Sequence, residues 1–287
     1  MRLRTLLGLT IGVIALGASA VSIWILRQPI QQTLATLHRE VPATGPTIRF
    51  AVVGDNHGDN PVYRQILDEL KDQPLDFMVN LADTSEFGRR EELLAVKERE
   101  SILPFPVYHT VGNHDMKTDP SRALFSEVFG TSPWASFDHG DIHLIILDNA
   151  DRKVGFPSAS LDWLETDLVA HREKTIVIAY HRPFDLPLGQ VLGDDETTSS
   201  RATNRRFKQI ISNYSVKYIF TGHLHTYLPY TVNDVPAVIS GGGGDPAQAA
   251  LGGPKNNLFH YLLVTVQGGH VDVEIHRVQL RTETSSE

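Results

Sequence analysis

The chain has 287 residues, 41% of them hydrophobic and 21% charged, with 34 acidic against 26 basic side chains and a formal net charge of −8. This is the composition of a folded globular protein and excludes disorder for the bulk of it; no region is basic enough to indicate nucleic-acid binding by charge. There is no cysteine, which excludes a disulfide-built fold and any thiolate metal site, so a bound metal has to take His, Asp, Glu or Asn ligands.

The N-terminus opens Met1-Arg2-Leu3-Arg4 and then runs from Thr5 to Leu26 without a charge. As a helix that run reaches about 33 Å, enough to cross a hydrocarbon core of roughly 30 Å. The basic start, the apolar stretch and Ala18-Ser19-Ala20 fit a secretory signal. Val21 to Leu26 stay mostly apolar past that cleavage site, and Trp24 stands where an interfacial aromatic would. This favours an uncleaved anchor helix over residues 1–27, with secretion after cleavage as the alternative. Either way the charge bias places the main domain outside the cytoplasm. Pro29, Pro42, Gly45 and Pro46 punctuate a juxtamembrane linker over 28–46.

From Thr47 the pattern alternates. Ile48 to Val53 reads as a buried strand, Pro61 to Asp72 as an amphipathic helix, and Asp76 to Leu81 as the next strand, which together make a βαβ unit. A charged helix over Arg89 to Leu103 follows. Further strands are expected at Val107 to Val111, His143 to Asp148, Thr175 to Tyr180 and Lys217 to Thr221, with helices at Ser160 to His171 and Thr203 to Asn213. Val235 to Ile239, Phe259 to Val266 and Val271 to Arg277 read as closing strands, with Gln267-Gly268-Gly269 as a hairpin turn. The main domain thus spans 47–278, an α/β domain with a mixed sheet or two sheets flanked by helices. Residues 279–287 form a loose polar tail.

In such domains active residues gather beyond the carboxyl ends of the strands. After the first strand comes Gly54-Asp55-Asn56-His57, and after the second Ala82-Asp83. Gly112-Asn113-His114-Asp115, His181-Arg182-Pro183 and Gly222-His223-Leu224-His225 each follow a later strand. One D-x-H or H-x-H arises readily by chance. Five such fragments in order, each at a strand end and each rich in N/O ligands, form a pattern.

That pattern resembles the calcineurin-like metallophosphoesterases, whose motifs run D-x-H, G-D, G-N-H-[D/E], H and G-H-x-H. The resemblance covers roughly Ile48 to Arg277, supported by Leu161-Asp162-Trp163-Leu164 and by the run Gly241 to Gly244. It implies two mixed β-sheets packed as a sandwich and flanked by helices. It also implies a two-metal site. One ion would take Asp55, His57, Asp83 and His225, the other Asp83, Asn113, His181 and His223. Asp83 would bridge, and His114 would stand beside the substrate.

The chemistry asks for the same composition. Two cations about 3.5–4 Å apart need a bridging carboxylate, and they generate hydroxide at neutral pH for in-line attack on a phosphate ester. Imidazole and carboxylate suit divalent or mixed-valence Mn, Fe or Zn. His114 would protonate the leaving oxygen or hold a phosphoryl oxygen. Two departures stand out. Ala82 replaces the family's glycine before the bridging Asp, a mild crowding by one methyl. Glu86 occupies the position where relatives often carry an Asp that orients the catalytic His, so it is read as a partner of His114. The absence of a tyrosine in this segment argues against the ferric site of purple acid phosphatases.

Four histidines, His109, His139, His143 and His260, lie near the motifs but lack ligand spacing and read as strand-end residues or as partners behind the ligands. Gly241 to Gly244 reads as a tight loop, and Arg201, Arg205 and Arg206 as a solvated helix face. The expected activity is hydrolysis of a phosphomonoester or phosphodiester. A cyclic-nucleotide or lipid-head-group diester is the alternative within the family, since selection would lie in the loops Met116 to Pro133 and Phe184 to Arg201. A non-catalytic metal- or partner-binding domain is the reading from another class, and the complete ligand set argues against it. No signal for an oligomeric state is present.

Overall fold

The computed structural model describes residues 45–186, 196–246 and 258–281, all inside one compact unit, Thr44–Glu287. The expected anchor helix, most of the linker and residues 282–287 of the tail lie outside the described residues. Among the described residues no helix is long and apolar enough to cross a membrane.

The elements run β1 (Ile48–Val53), α1 (Pro61–Leu70), β2 (Phe77–Asn80), α2 (Arg90–Glu100), β3 (Val107–His109), α3 (Ala123–Phe129), β4 (Ala135–His139) and β5 (Ile142–Ile146). They continue α4 (Ser158–Ala170), β6 (Thr175–Ala179), α5 (Thr198–Ile211), β7 (Val216–Thr221), β8 (Tyr227–Val232), β9 (Val235–Ser240), β10 (His260–Gln267) and β11 (His270–Arg277). The strands form two mixed sheets, in the orders β11-β10-β1-β2-β3 and β4-β5-β6-β7-β9-β8. The βαβ-type strands pair in parallel: β1 with β2, β2 with β3, and β5 through β6 and β7 to β9. Antiparallel strands close the margins.

Strand alternation builds the layers. Phe50 and Val52 of β1 share a buried cluster with Leu144, Val177, Ala179 and Phe220 of the other sheet. Ala51 and Val53, pointing the opposite way, share one with Ile66, Leu67 and Leu70 of α1 and Val96 of α2. On the outer face of the second sheet, Ile176, Ile178 and Ile219 join Leu161 and Leu164 of α4 and Phe207 and Ile211 of α5. Both faces of the central strands are therefore buried, which is why they read as continuous apolar runs. Each large side chain so buried contributes roughly 1.5–3 kcal/mol.

Register levels the strand ends. Val53 lies opposite Asn80, and Asn80 opposite His109. Ile146 lies opposite Ala179, and Ala179 opposite Phe220. The turns that follow are tied to one another: within each sheet Asp55 N donates to Ala82 O at 3.0 Å and Gly222 N to His181 O at 3.0 Å, and between the sheets Gly243 N donates to Gly54 O at 2.7 Å. One edge of the two sheets thus collects every motif.

Four elements differ from the sequence expectation. α5 begins at Thr198 rather than Thr203, because Thr197 caps it: its hydroxyl accepts from Ser200 N at 3.2 Å while Ser200 Oγ accepts from Thr197 N at 2.8 Å. β8 carries Pro229, and its place at the sheet edge is what tolerates a residue without an N–H. β4 and the short α3 also went unpredicted.

Candidate metal centre

The ligand-bearing turns are strained. Asp55, His57, Ala82, Asp83, His223 and His225 all have positive φ, between 43° and 77°. They are six of the ten non-glycine residues with positive φ among the described residues. A left-handed L-residue costs roughly 1–2 kcal/mol, so such strain persists only where the surroundings over-determine it, characteristically at functional sites. Ala82, with φ of 77°, also corrects the reading of its departure. The position favours glycine because of its backbone angle, and methyl crowding is not the reason.

These turns bring the expected ligands together. Ligand atoms of Asp55, His57, Asp83 and His225 lie within 4.8 Å of one another, and so do those of Asp83, His181 and His223. Asp83 belongs to both groups. Its Oδ2 is 3.2 Å from His181 Nε2 and 3.7 Å from His57 Nε2, while its Oδ1 accepts from the backbone N–H of His114 at 2.8 Å. Asp55 accepts from His223 N through both oxygens at 2.9 Å, and His225 Nε2 stands 3.6 Å from Asp55 Oδ1. Asn113 Oδ1 is 3.1 Å from His181 Nε2, beside the second group.

The histidines are held by their outer nitrogens. Nδ1 of His181 lies 2.9 Å from Leu81 O, that of His225 2.9 Å from Pro246 O, and that of His57 2.8 Å from Glu86 Oε2. An Nδ1–H donated to these acceptors leaves Nε2 with a bare lone pair. Lone pairs from Nε2 of three rings then converge on carboxylate oxygens, an arrangement that demands positive charge between them. His57 Nε2 is buried and makes no hydrogen bond. The titration of these rings states the same demand. Burial opposes a charged His57, yet Asp83 and Glu86 outweigh it and push its pKa up to about 10. For His225, burial is likewise overcome, by Asp245 and Asp55, and the pKa rises to about 9. His223 is held well below its ordinary value by burial and by Arg182 and His181, which keeps its ring neutral. The donor set therefore fits bound divalent metal, with two neighbouring groups that could each hold an ion.

His114 lies outside both of these groups, but a ligand atom of its ring lies within 4.8 Å of those of His57 and Glu86, a third candidate cluster. Its ring centroid is 4.3 Å from that of His57. The expected link to Glu86 differs in form. The Glu86 carboxylate hydrogen-bonds His57 and stands 3.5 Å from His114 Nδ1, whereas the Glu86 backbone carbonyl is 3.0 Å from that nitrogen. The longer side chain reaches past His114 to His57. Lys117 Nζ lies 2.7 Å from His114 Nδ1.

Several neighbours were not legible as site residues. Asp115 is buried and accepts from Ser85 N and Oγ at 2.9 Å and from Gly112 N at 3.0 Å, stitching the Asn113 loop to the Asp83 loop. Burial and the charge of Asp83 raise its pKa to about 6. Asn149 clamps the backbone of Arg182, accepting from its N–H at 2.9 Å and donating to its carbonyl at 2.7 Å. Arg182 then reaches Asn113 Oδ1 at 3.2 Å. Asp245 Oδ2 lies 3.0 Å from His225 Nδ1. The glycine run before it is more than a tight loop: a Cβ on Gly241 would stand 2.7 Å from Asp55 Oδ2 and 2.7 Å from His225 N. The four set-aside histidines all have structural partners: Glu100 for His109, Tyr108 for His139, Asp138 and Asp167 for His143, and Ser240 for His260.

The fold has solved relatives. A purple acid phosphatase from yellow lupin (Lupinus luteus) seeds superposes with a TM-score of 0.62 at 15% identity, over 82% of this chain and 52% of that one. The chain thus spans about half the length of the lupin protein. GAP50, described as the anchor in the inner membrane complex of Plasmodium, gives 0.61 at 12% identity over 84% and 91%. A 5'-nucleotidase from Staphylococcus aureus, itself assigned as putative, gives 0.51 at 14% identity over 84% and 56%. No curated protein matches the sequence. The sequence model of the calcineurin-like phosphoesterases matches residues 48–227, the span that carries all five strand-end motifs, and the chain belongs to that family.

Proposed function

We propose that this protein is a metal-dependent phosphoric ester hydrolase acting on a phosphomonoester or phosphodiester. The observation that carries the reading is the convergence of Nε2 of His57, His181 and His225 on the carboxylates of Asp55 and Asp83, with each ring's Nδ1 already engaged. Asp55, His57, Asp83 and His225 would hold one ion; Asp83, Asn113, His181 and His223 the other. What two divalent ions supply when bound is Lewis acidity and, at neutral pH, a hydroxide for in-line attack on phosphorus. Asp83 sets the spacing of the two positions, because it is the residue common to both groups. His114, whose Nδ1 lies 3.0 Å from the Glu86 carbonyl and 2.7 Å from Lys117 Nζ, would stand beside the substrate, where it protonates the leaving oxygen or holds a phosphoryl oxygen. The uncharged run from Thr5 to Leu26 supports an anchored, extracytoplasmic placement.

The test is elemental analysis of the purified full chain, paired with hydrolysis of a chromogenic aryl phosphomonoester and the matching diester, with and without chelator. About two ions per chain and chelator-sensitive turnover are expected. A chain that holds no metal, and turns over neither ester after reconstitution with Mn, Fe or Zn, sinks the reading.

A further inference from the structure

The loop that carries His114 also brings Lys117 to the site. Lys117 Nζ lies 2.7 Å from His114 Nδ1 and 3.4 Å from His114 Nε2. It donates to the Glu86 carbonyl at 3.0 Å, and the Glu86 carboxylate stands 3.5 Å away. The Phe87 ring centroid is 5.2 Å from it, within reach of a cation–π contact. The two stretches of chain that make this setting are locked together. Thr118 donates to the Phe87 carbonyl through its N–H at 3.1 Å and its hydroxyl at 2.6 Å. Gly88 packs so closely on the Asp115 backbone that a Cβ there would collide with it.

An ordinary surface lysine swings freely in water. This ammonium is held on several sides, yet 38% of the side chain remains exposed. An ammonium has three N–H groups and accepts nothing. The Glu86 carbonyl takes one and the His114 ring another. Among the described residues the third meets only the Glu86 carboxylate, at a distance longer than a good hydrogen bond. That carboxylate already accepts from His57 at 2.8 Å. His114 Nε2 and Lys117 Nζ are close enough to share one oxygen bound beside them.

Resting on the phosphoric ester hydrolase reading above, we infer that Lys117 binds the phosphoryl group next to His114 and selects phosphomonoesters over phosphodiesters. A monoester presents three unesterified oxygens and close to two negative charges at neutral pH. A diester presents one oxygen and about one charge fewer. The ammonium reads that difference, because a charge-assisted hydrogen bond is roughly twice as strong as a neutral one. With a diester, the second ester group leaves the third N–H without its partner.

The experiment compares the full-length wild type with Lys117→Met and Lys117→Arg on an aryl phosphomonoester and the matching diester. Binding of inorganic phosphate is measured beside it by calorimetry. The wild type should favour the monoester in kcat/KM. Lys117→Met keeps the stem and removes the charge. It should lower the monoester-to-diester ratio about 10–100-fold, the worth of one hydrogen bond to a charged group, mostly through KM. Inorganic phosphate should bind correspondingly more weakly. Lys117→Arg should retain most of the ratio. Circular dichroism confirms that each variant is folded. If Lys117 merely positions His114, Lys117→Met lowers turnover of both esters alike and leaves phosphate affinity unchanged. That result overturns the inference, as does a wild type that favours the diester. A wild type that hydrolyses neither ester fails at the level of the hydrolase reading itself, a result distinguishable from these.

Discussion

The imidazole of His181 and the carboxylate of Asp83 face each other at 3.2 Å, with the far ring nitrogen anchored on the Leu81 carbonyl. Asp83 holds the same relation to His57 at 3.7 Å. One carboxylate therefore serves both ligand groups, and no other described residue does. Asp83→Asn should remove both ions together and lower turnover by far more than the roughly 10–100-fold typical of an outer partner. Normal metal content in that variant would contradict the bridging role.

Ala82 offers a test in which two terms nearly cancel. Its left-handed backbone costs roughly 1–2 kcal/mol, which glycine would relieve. Ala82 is also fully buried, and losing its methyl forfeits about 0.8 kcal/mol. Glycine further raises the entropy of the unfolded chain. Ala82→Gly should therefore change stability by less than about 1 kcal/mol in urea unfolding and leave activity intact. Ala82→Val adds a β-branch at a positive φ inside a packed loop, and should cost more than about 2 kcal/mol and disturb Asp83. Equal stability of the two variants would show that the backbone angle does not govern this position.

A buried polar network beneath the site makes a third prediction. Glu100 accepts from His109 Nε2 at 3.0 Å, and from Tyr63. Asn80 donates to Asn56 Oδ1 and to Tyr63 Oη at 3.1 Å each. Glu100→Ala strips the network of its acceptor and leaves donors buried, at a cost of about 3 kcal/mol. A loss under about 1 kcal/mol in denaturant titration would mean that water replaces the carboxylate freely.

The five ligand motifs were legible because each lies on one short stretch of chain after a strand. The strands themselves announce where they end, since β1 from Phe50 to Val53 and β6 from Ile176 to Ala179 are continuous apolar runs. What escaped depends on contacts between distant stretches. Asp245 stands twenty residues from His225, and nothing local ties it to that ring. Asn149 meets Arg182 only because β5 and β6 are paired in register. Glu86 was picked out by position, but its true partner depends on side-chain length. β8 was hidden by Pro229, a residue that argues against a strand unless the strand is known to be an edge. The six left-handed residues carry no sequence signature, because none of them is glycine.

His143 gives a pH prediction away from the metal centre. It lies on β5, buried between Asp138 of β4 at 2.7 Å and Asp167 of α4 at 2.7 Å, with the His171 ring stacked at 3.8 Å. Lys174 pairs with Asp138 at 2.8 Å. Burial opposes charge on His143, but the two carboxylates outweigh it and raise the pKa. A raised folded-state pKa adds stability that is fully present below the unfolded value of about 6.5 and is lost as pH rises through the folded value. The stability difference between wild type and His143→Gln should accordingly shrink between pH 5.5 and pH 9. A difference that stays constant or grows over that range would show that the ring is neutral when folded.

His114 separates acid catalysis from metal binding. Its ring belongs to neither four-residue ligand set, and its link to Asp83 runs through its backbone N–H, which a side-chain substitution spares. His114→Ala should therefore keep its metal content. Turnover should fall about 10²–10⁴-fold, the range of a lost general acid or base. The leaving group decides between the two roles open to the ring. An acid matters most when the departing oxygen is basic, so alkyl phosphates should lose far more than nitrophenyl phosphates. If the ring only holds a phosphoryl oxygen, both should fall alike. Loss of metal along with activity would instead place His114 among the ligands.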